Sequence, residues 1–223
     1  MKKKETKSDF PEPLSRERIL DQALEIADAY GLDALSMRNL AASLGVQAMS
    51  LYNHIQNKDE LIDGISDLVI QEFAVPKAGG DWKEEMRKRA QSMRAVLLTH
   101  RWAAQTIMQR INSGYGMIRF FDGTIGCLVH AGFDYPKADH ITNAMDSFIY
   151  GYVLQELNFP IHVDDYTAMA SAYLPTIPKD QFPHIHELTN YIIDGRHSGI
   201  HDLMFGFNQL LEAFESQLTR RNT

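Results

Sequence analysis

A single cysteine, Cys127, stands in the 223 residues of the chain. A lone thiol closes no intrachain disulfide, so the expected compartment is a reducing one, the cytoplasm. No apolar run approaches the ~20 residues of a membrane-spanning helix. The charged N-terminus MKKKETKSDFPEP is followed by no apolar segment, so a secretory signal is not expected. Alternating strand patterns are missing, and there is no internal repeat. No nucleophile elbow, phosphate loop or paired catalytic signature is present, and the chain is not expected to be an enzyme.

Positive charge is also scarce. Lys and Arg number 22 against 29 Asp and Glu, for a net charge of −7. Residues 1–75 hold eight Lys/Arg (2, 3, 4, 7, 16, 18, 38 and 58) against thirteen Asp/Glu. Bulk charge therefore argues against a general nucleic-acid binder. A different absence points the other way. Between Ser36 and Lys58 there is no acidic residue, while Arg38, His54 and Lys58 are basic, and Asp59 and Glu60 follow at once. A local cationic face on an acidic body suits a specific DNA binder with low non-specific affinity.

What is present is helical. Apolar residues make up 44% of the chain, enough for a proper core. Residues 1–13 read as a disordered tail ended by Pro11 and Pro13. A first helix is expected over about 15–31, with Leu20, Leu24 and Ala27 on one strip and Gly31 at its end. Ser36 is an N-cap candidate, and Leu40, Ala41 and Leu44 follow at helical spacing. Gly45 stands where that helix must stop, a position that favours positive φ. Val46 can plug the corner, and Leu51, Tyr52 and Ile55 resume an apolar stripe. A helix, a sharp turn and a second short helix make a helix-turn-helix, whose second helix enters the DNA major groove. Asn57 is a second N-cap candidate, with Glu60 as its capping-box partner and a helix running to about Phe73.

Pro76–Asp81 reads as the hinge, which divides the chain into 14–75 and 76–223. Helical patterns continue over 82–99, 102–110, 113–131, 136–158, about 164–173, 184–194 and 199–219. The fold class is all-α: an N-terminal three-helix domain with the helix-turn-helix and a larger helical domain. Helices 136–158 and 199–219 are apolar over a wide arc: Ile141, Met145, Phe148, Ile149, Tyr152, Val153 and Leu157 in one, Leu203, Met204, Phe207, Leu210, Leu211, Phe214 and Leu218 in the other. So wide an arc needs two partners, the chain's own core and either more of the same chain or a second copy. From these, Met145, Ile149, Tyr152, Val153, Phe207, Leu210, Leu211 and Phe214 are the candidate dimer interface. Nine histidines invite a metal reading, with His197 and His201 four apart and His184 and His186 near. Gly199 interrupts the pair, so no metal site is expected.

L-A-x-x-L-G-V followed by L-Y-x-H-x-x-N-K-x-x-L resembles the DNA-binding domain of the tetracycline repressor (TetR) family of bacterial transcriptional regulators. The likeness extends upstream through RILDQALEIADAYGLDALSMR, covers roughly residues 15–73, and continues in WKEEMRKRAQSMRAVLLTHR and SFIYGYVLQE. It implies a dimeric, ligand-responsive regulator, by the family's habit a repressor, released from a pseudo-palindromic operator by a small molecule. It assigns Gln47, Ala48, Met49, Ser50, Tyr52 and His54 to the turn and reading helix. Gln47 has the chemistry to pair with adenine; Ala48 and Met49 suit a thymine methyl; Ser50 and Tyr52 offer hydroxyls to phosphates. Ser36, Arg38 and Lys58 complete the candidate DNA contacts.

Ten methionines and many aromatics suit an adaptable apolar pocket, with Trp102, Gln105, Met108, Tyr115, Phe120, Asp146, Tyr150 and Glu156 on helices that would surround it. The tetracycline repressors hold a magnesium–drug chelate with histidines. Here the matching positions are Ala74 and Ser147, so neither metal nor cofactor is expected. The alternative reading is a dimeric helical protein that binds a small molecule or a partner and has lost its operator.

Overall fold

The computed structural model describes residues 13–160, 165–197 and 202–219. The tail over 1–12 and the His201 half of the histidine pair fall outside them. All regular structure among the described residues is helical. Two compact units form.

The first unit contains the described residues through Glu72 together with Thr99–Ile118. It begins with α1 (Arg16–Tyr30), whose N-cap Ser15 accepts from Arg18 N at 3.2 Å. α2 (Met37–Leu44) starts at Ser36, whose hydroxyl accepts from Asn39 N at 3.2 Å. It ends at Gly45, which takes φ 69° and ψ 30°. A side chain in this left-handed conformation is strained by its own Cβ, and glycine is not. The turn lets Val46 N–H reach back to Ala41 O at 3.0 Å. α3 (Ala48–Leu51) is one turn long. α4 (Lys58–Gln71) opens at Asn57, whose side chain accepts from Glu60 N at 2.8 Å, while Glu60 accepts from Gln56 N at 2.7 Å. The reciprocal pair is the expected capping box, with its return bond shifted one residue upstream.

Ile19, Ala23, Leu35, Leu40, Leu51, Ile55, Leu61 and Ile65 close the core of this unit. Each large aliphatic side chain buried there contributes roughly 1.5–3 kcal/mol relative to exposure. α1 packs on α2 and α4, and α2 on α3. Gly64 permits the α1–α4 approach, since a Cβ there would stand 2.5 Å from Leu20 Cδ2.

The sequence places the domain boundary at 75/76. The structure ends the first unit at Glu72 and returns 99–118 to it, including α6 (Ala103–Met108) and the first turn of α7 (Tyr115–His130). Apolar packing of Trp102 and α6 holds this segment there, together with long-range polar contacts that no hydrophobic periodicity reveals. Arg110 Nε donates to Asp63 at 2.6 Å, and Asp67 accepts from the backbone N–H groups of Gly116 and Met117, each at 3.1 Å.

The second unit holds Phe73–Leu98 and the described residues from Arg119 onward. It contains most of α5 (Trp82–Thr99), the rest of α7, α8 (Tyr135–Leu157), α9 (Tyr166–Tyr173), α10 (Pro183–Ile193) and α11 (Leu203–Thr219). Asp134 caps α8 by accepting from Lys137 N at 2.9 Å. α8 and α11 pack on each other, and α9 on α10. Lys83 ties α5 to α11 through Glu212 and Glu215 at 3.0 and 2.8 Å.

Candidate DNA-binding surface and effector site

The candidate DNA face is built by the caps and turn just described. Leu51 and Ile55 point inward and are fully buried, Val46 and Ala48 pack against the same core, and the intervening side chains are left outside. Arg38, Gln47, Met49, Tyr52 and Lys58 are exposed; Ser36, Ala48, Ser50 and His54 are half-buried. Met49 is 75% and Tyr52 46% exposed, so neither is a core residue. Asn53, exposed beside Tyr52, was not among the expected contacts. The turn brings Gln47, Met49, Ser50 and Tyr52 onto one short segment, flanked by Arg38 from α2 and Lys58 from α4. No acidic residue lies between Ser36 and Lys58 to oppose phosphate approach.

The eight expected effector residues divide evenly between the units. Trp102 packs on the first unit's core and donates its indole N–H to Asp28 at 2.8 Å, so it acts as a structural strut there. Gln105, Met108 and Tyr115 are exposed on the same unit. Tyr115 also lines a cleft of about 630 Å³ bounded by α1, α4 and residues 111–114. The carboxylates of that cleft are largely engaged: Glu60 with Arg16 at 3.0 Å, Asp63 with Arg110 and Asp67 with the start of α7.

Phe120, Asp146 and Tyr150 come together in the second unit around a residue the sequence reading passed over, Arg89. Its side chain is wholly buried. Nη2 donates to Asp146 Oδ1 at 2.5 Å, Nε donates to Thr124 Oγ1 at 3.1 Å, and the guanidinium lies 4.5 Å from the centre of the Phe120 ring. Burial pushes the Asp146 carboxyl above the usual carboxylate range, with Arg89 pulling the other way. Burial also raises the Tyr150 phenol, helped by the charge of Asp146 and opposed by that of Arg89. The phenol therefore keeps its proton at neutral pH. A signal for Arg89 was available: it sits in register with Trp82, Met86, Met93 and Leu97 on the buried face of α5. An arginine on an apolar stripe needs a buried partner. Glu156 stands apart and forms a two-pronged pair with Arg94.

The buried thiol of Cys127 is pushed up to about 11, mainly by burial, which leaves it protonated and unreactive at neutral pH. Ala74 and Ser147 are both exposed and supply no imidazole, and Ala74 N–H is taken by Ser92 Oγ at 2.8 Å. This pair does not fit a magnesium–drug chelate held by histidines.

Five of the eight expected dimer residues need correction. Met145, Ile149, Val153, Phe207 and Leu211 are fully buried within the second unit. These five are taken up by packing within the chain and offer no area to a second copy. Tyr152, Leu210 and Phe214 are half-buried. The outer faces carry Ala144, Ser147 and Gly151 on α8, and Phe205 and Ala213 on α11.

Residues 19–65 match the family model described as bacterial regulatory proteins, tetR family. Residues 75–202 match the model described as the tetracyclin repressor-like C-terminal domain. The tetracycline repressor protein class D of Escherichia coli is 27% identical over 215 residues, spanning 92% of this chain and 91% of that protein. The structure of the TetR family protein ActR of Streptomyces coelicolor in complex with (S)-DNPA superposes with a TM-score of 0.78 at 30% identity, covering 92% of this chain and 98% of the other. ActR in complex with actinorhodin gives 0.76 at 28% identity, covering 92% and 99%.

Proposed function

This chain belongs to the TetR family and is a ligand-responsive, DNA-binding transcriptional regulator, and we propose that it works as a homodimeric repressor that a small molecule releases from a pseudo-palindromic operator. The observation that carries this reading is the exposed, acid-free set of Arg38, Gln47, Met49 and Tyr52 on the helix-turn-helix and Lys58 at the start of α4. Gln47 is the candidate base contact, Met49 the apolar one, and Tyr52 and Lys58 the phosphate contacts that fix the register. A single such unit reads only a few base pairs, so a second copy supplies the other half-site about one helical turn away.

The second copy docks, in this reading, on the outer faces of α8 and α11. Gly151 is the supporting feature: a glycine inside an exposed helix costs about 1 kcal/mol relative to alanine, and close approach of another backbone is the usual compensation. Phe205, 72% exposed on α11, supplies the apolar area.

The effector acts by differential affinity. A molecule that binds better to the geometry unable to engage DNA lowers operator affinity by that same ratio, and operator lowers effector affinity in return. An electrophoretic shift with the DNA flanking the chain's own gene tests the reading. A discrete complex that a small molecule dissolves supports it; no complex above that of unrelated DNA refutes it.

A further inference from the structure

The guanidinium of Arg89 is only partly answered. Nε and Nη2 have partners, but Nη1 is buried without a hydrogen-bond acceptor among the described residues. A buried N–H without an acceptor is costly, and charged donors most of all. We propose that Arg89 Nη1 is the anchoring donor of the effector site, and that the effector is a planar, apolar, uncharged molecule presenting a carbonyl oxygen to it. The assignment rests on the effector-responsive reading above and deepens it.

Three observations select this chemistry. First, the group that lacks a partner is a donor, so the ligand must bring an acceptor. Second, the positive charge of Arg89 already faces Asp146 at 2.5 Å. A full anion on the effector would set a second negative charge beside Asp146 in a buried site, which is unfavourable. A neutral carbonyl takes the hydrogen bond without that penalty. Third, the guanidinium carbon stands 4.5 Å from the centre of the Phe120 ring, over its face, and Phe73 packs on Phe120 at 5.2 Å between ring centres. The open valence of Nη1 lies in the guanidinium plane, and the aromatic surroundings favour a flat partner.

Titration of the full-length protein with three probes of one shape tests the assignment: 9-fluorenone, fluorene, and fluorene-9-carboxylate. Fluorenone is expected to bind about tenfold or more tightly than fluorene, the worth of one hydrogen bond to a charged donor, and more tightly than the carboxylate. The C=O stretch of bound fluorenone should fall below its value in cyclohexane. Both effects should vanish in Arg89→Met/Asp146→Leu, which removes the pair together and leaves no lone buried charge. Equal affinity for ketone and hydrocarbon, tightest binding of the carboxylate, no binding of the ketone, or a preference retained in the double variant would each overturn the proposal. The infrared readout on the unaltered protein decides the matter even where the double variant does not fold: an unshifted stretch contradicts it. Operator binding by the same sample, without probe, reports separately on the regulator reading. A chain that prefers the ketone yet binds no DNA would sink that reading and leave the Arg89 assignment standing.

Discussion

Asp28 and His100, far apart in sequence, are joined at 2.8 and 2.9 Å through both carboxylate oxygens and a single ring nitrogen. The other ring nitrogen lies 3.2 Å from Glu72 Oε1, and Trp102 donates to the same Asp28. One acid on α1 thus latches the segment that follows α5 onto the helix-turn-helix unit. Asp28→Ala should strand two donors at once and destabilise the unit by about 1–3 kcal/mol. Denaturant unfolding of the variant measures this; an unchanged midpoint would mean the latch is incidental.

The start of α4 should be acid-sensitive. The Glu60 carboxyl is held below its usual value of 4.5, chiefly by the Gln56 N–H and then by Arg16. A carboxyl with a depressed folded-state value stabilises the fold above its unfolded value, and the contribution is lost as pH falls through the folded one. Glu60→Gln should therefore be less stable than the parent at pH 7, and the two should converge as pH falls below the usual carboxylate value and through the lowered one. A gap that stays constant across this range would assign the effect to side-chain shape.

Phe205 and Phe207 separate interface from core. Phe207 is fully buried, so Phe207→Glu should unfold the second unit by burying an unpaired charge. Phe205→Glu and Gly151→Arg should instead give folded monomers. A side chain at Gly151 meets nothing within 4 Å in the single chain, so only a partner would resist it. Light scattering with circular dichroism reads both outcomes; a dimer that survives both surface changes would move the interface elsewhere.

Magnesium–tetracycline should not release this protein from operator at concentrations that suffice for tetracycline repressors. Mg²⁺ demands near-octahedral geometry from hard donors. The alanine at 74 has no donor atom, and the hydroxyl of Ser147 is a weak neutral one. Calorimetric titration with and without magnesium checks this, and tight magnesium-dependent binding would show that other residues supply the chelate.

The features legible in sequence were local. Ser36, Asn57, Gly31 and Gly45 announce their helix ends because capping bonds and positive φ are decided within four residues. Helix positions followed from apolar spacing for the same reason. The units were harder. Arg110, Asp67 and His100 attach 99–118 to the first unit by polar contacts across long sequence separations, and hydrophobic periodicity carries no trace of them. The arcs of α8 and α11 show that two faces are apolar, not which face the chain itself covers. Met145 and Phe207 went to the core, and the small residues opposite were left outside. Arg89 was visible only as a charge on an apolar stripe.

Gln47 and Lys58 should part company as DNA contacts. Lys58→Ala should weaken binding by a similar factor on all operator variants and lower the salt slope by about one unit. Gln47→Ala should change which base is preferred at one position of each half-site, by about 1–3 kcal/mol. Equal loss on every sequence would make Gln47 a positioning residue.

The most direct measurement is fluorescence anisotropy of short duplexes tiled across the DNA flanking the chain's own gene, titrated with the full-length protein. The account predicts one two-fold symmetric duplex bound by two chains with Kd on the order of 10⁻⁸ M or tighter at physiological salt. Affinity no better than that for scrambled duplexes, in the 10⁻⁴–10⁻⁶ M range typical of non-specific contact, or saturation at one chain per duplex, would contradict it.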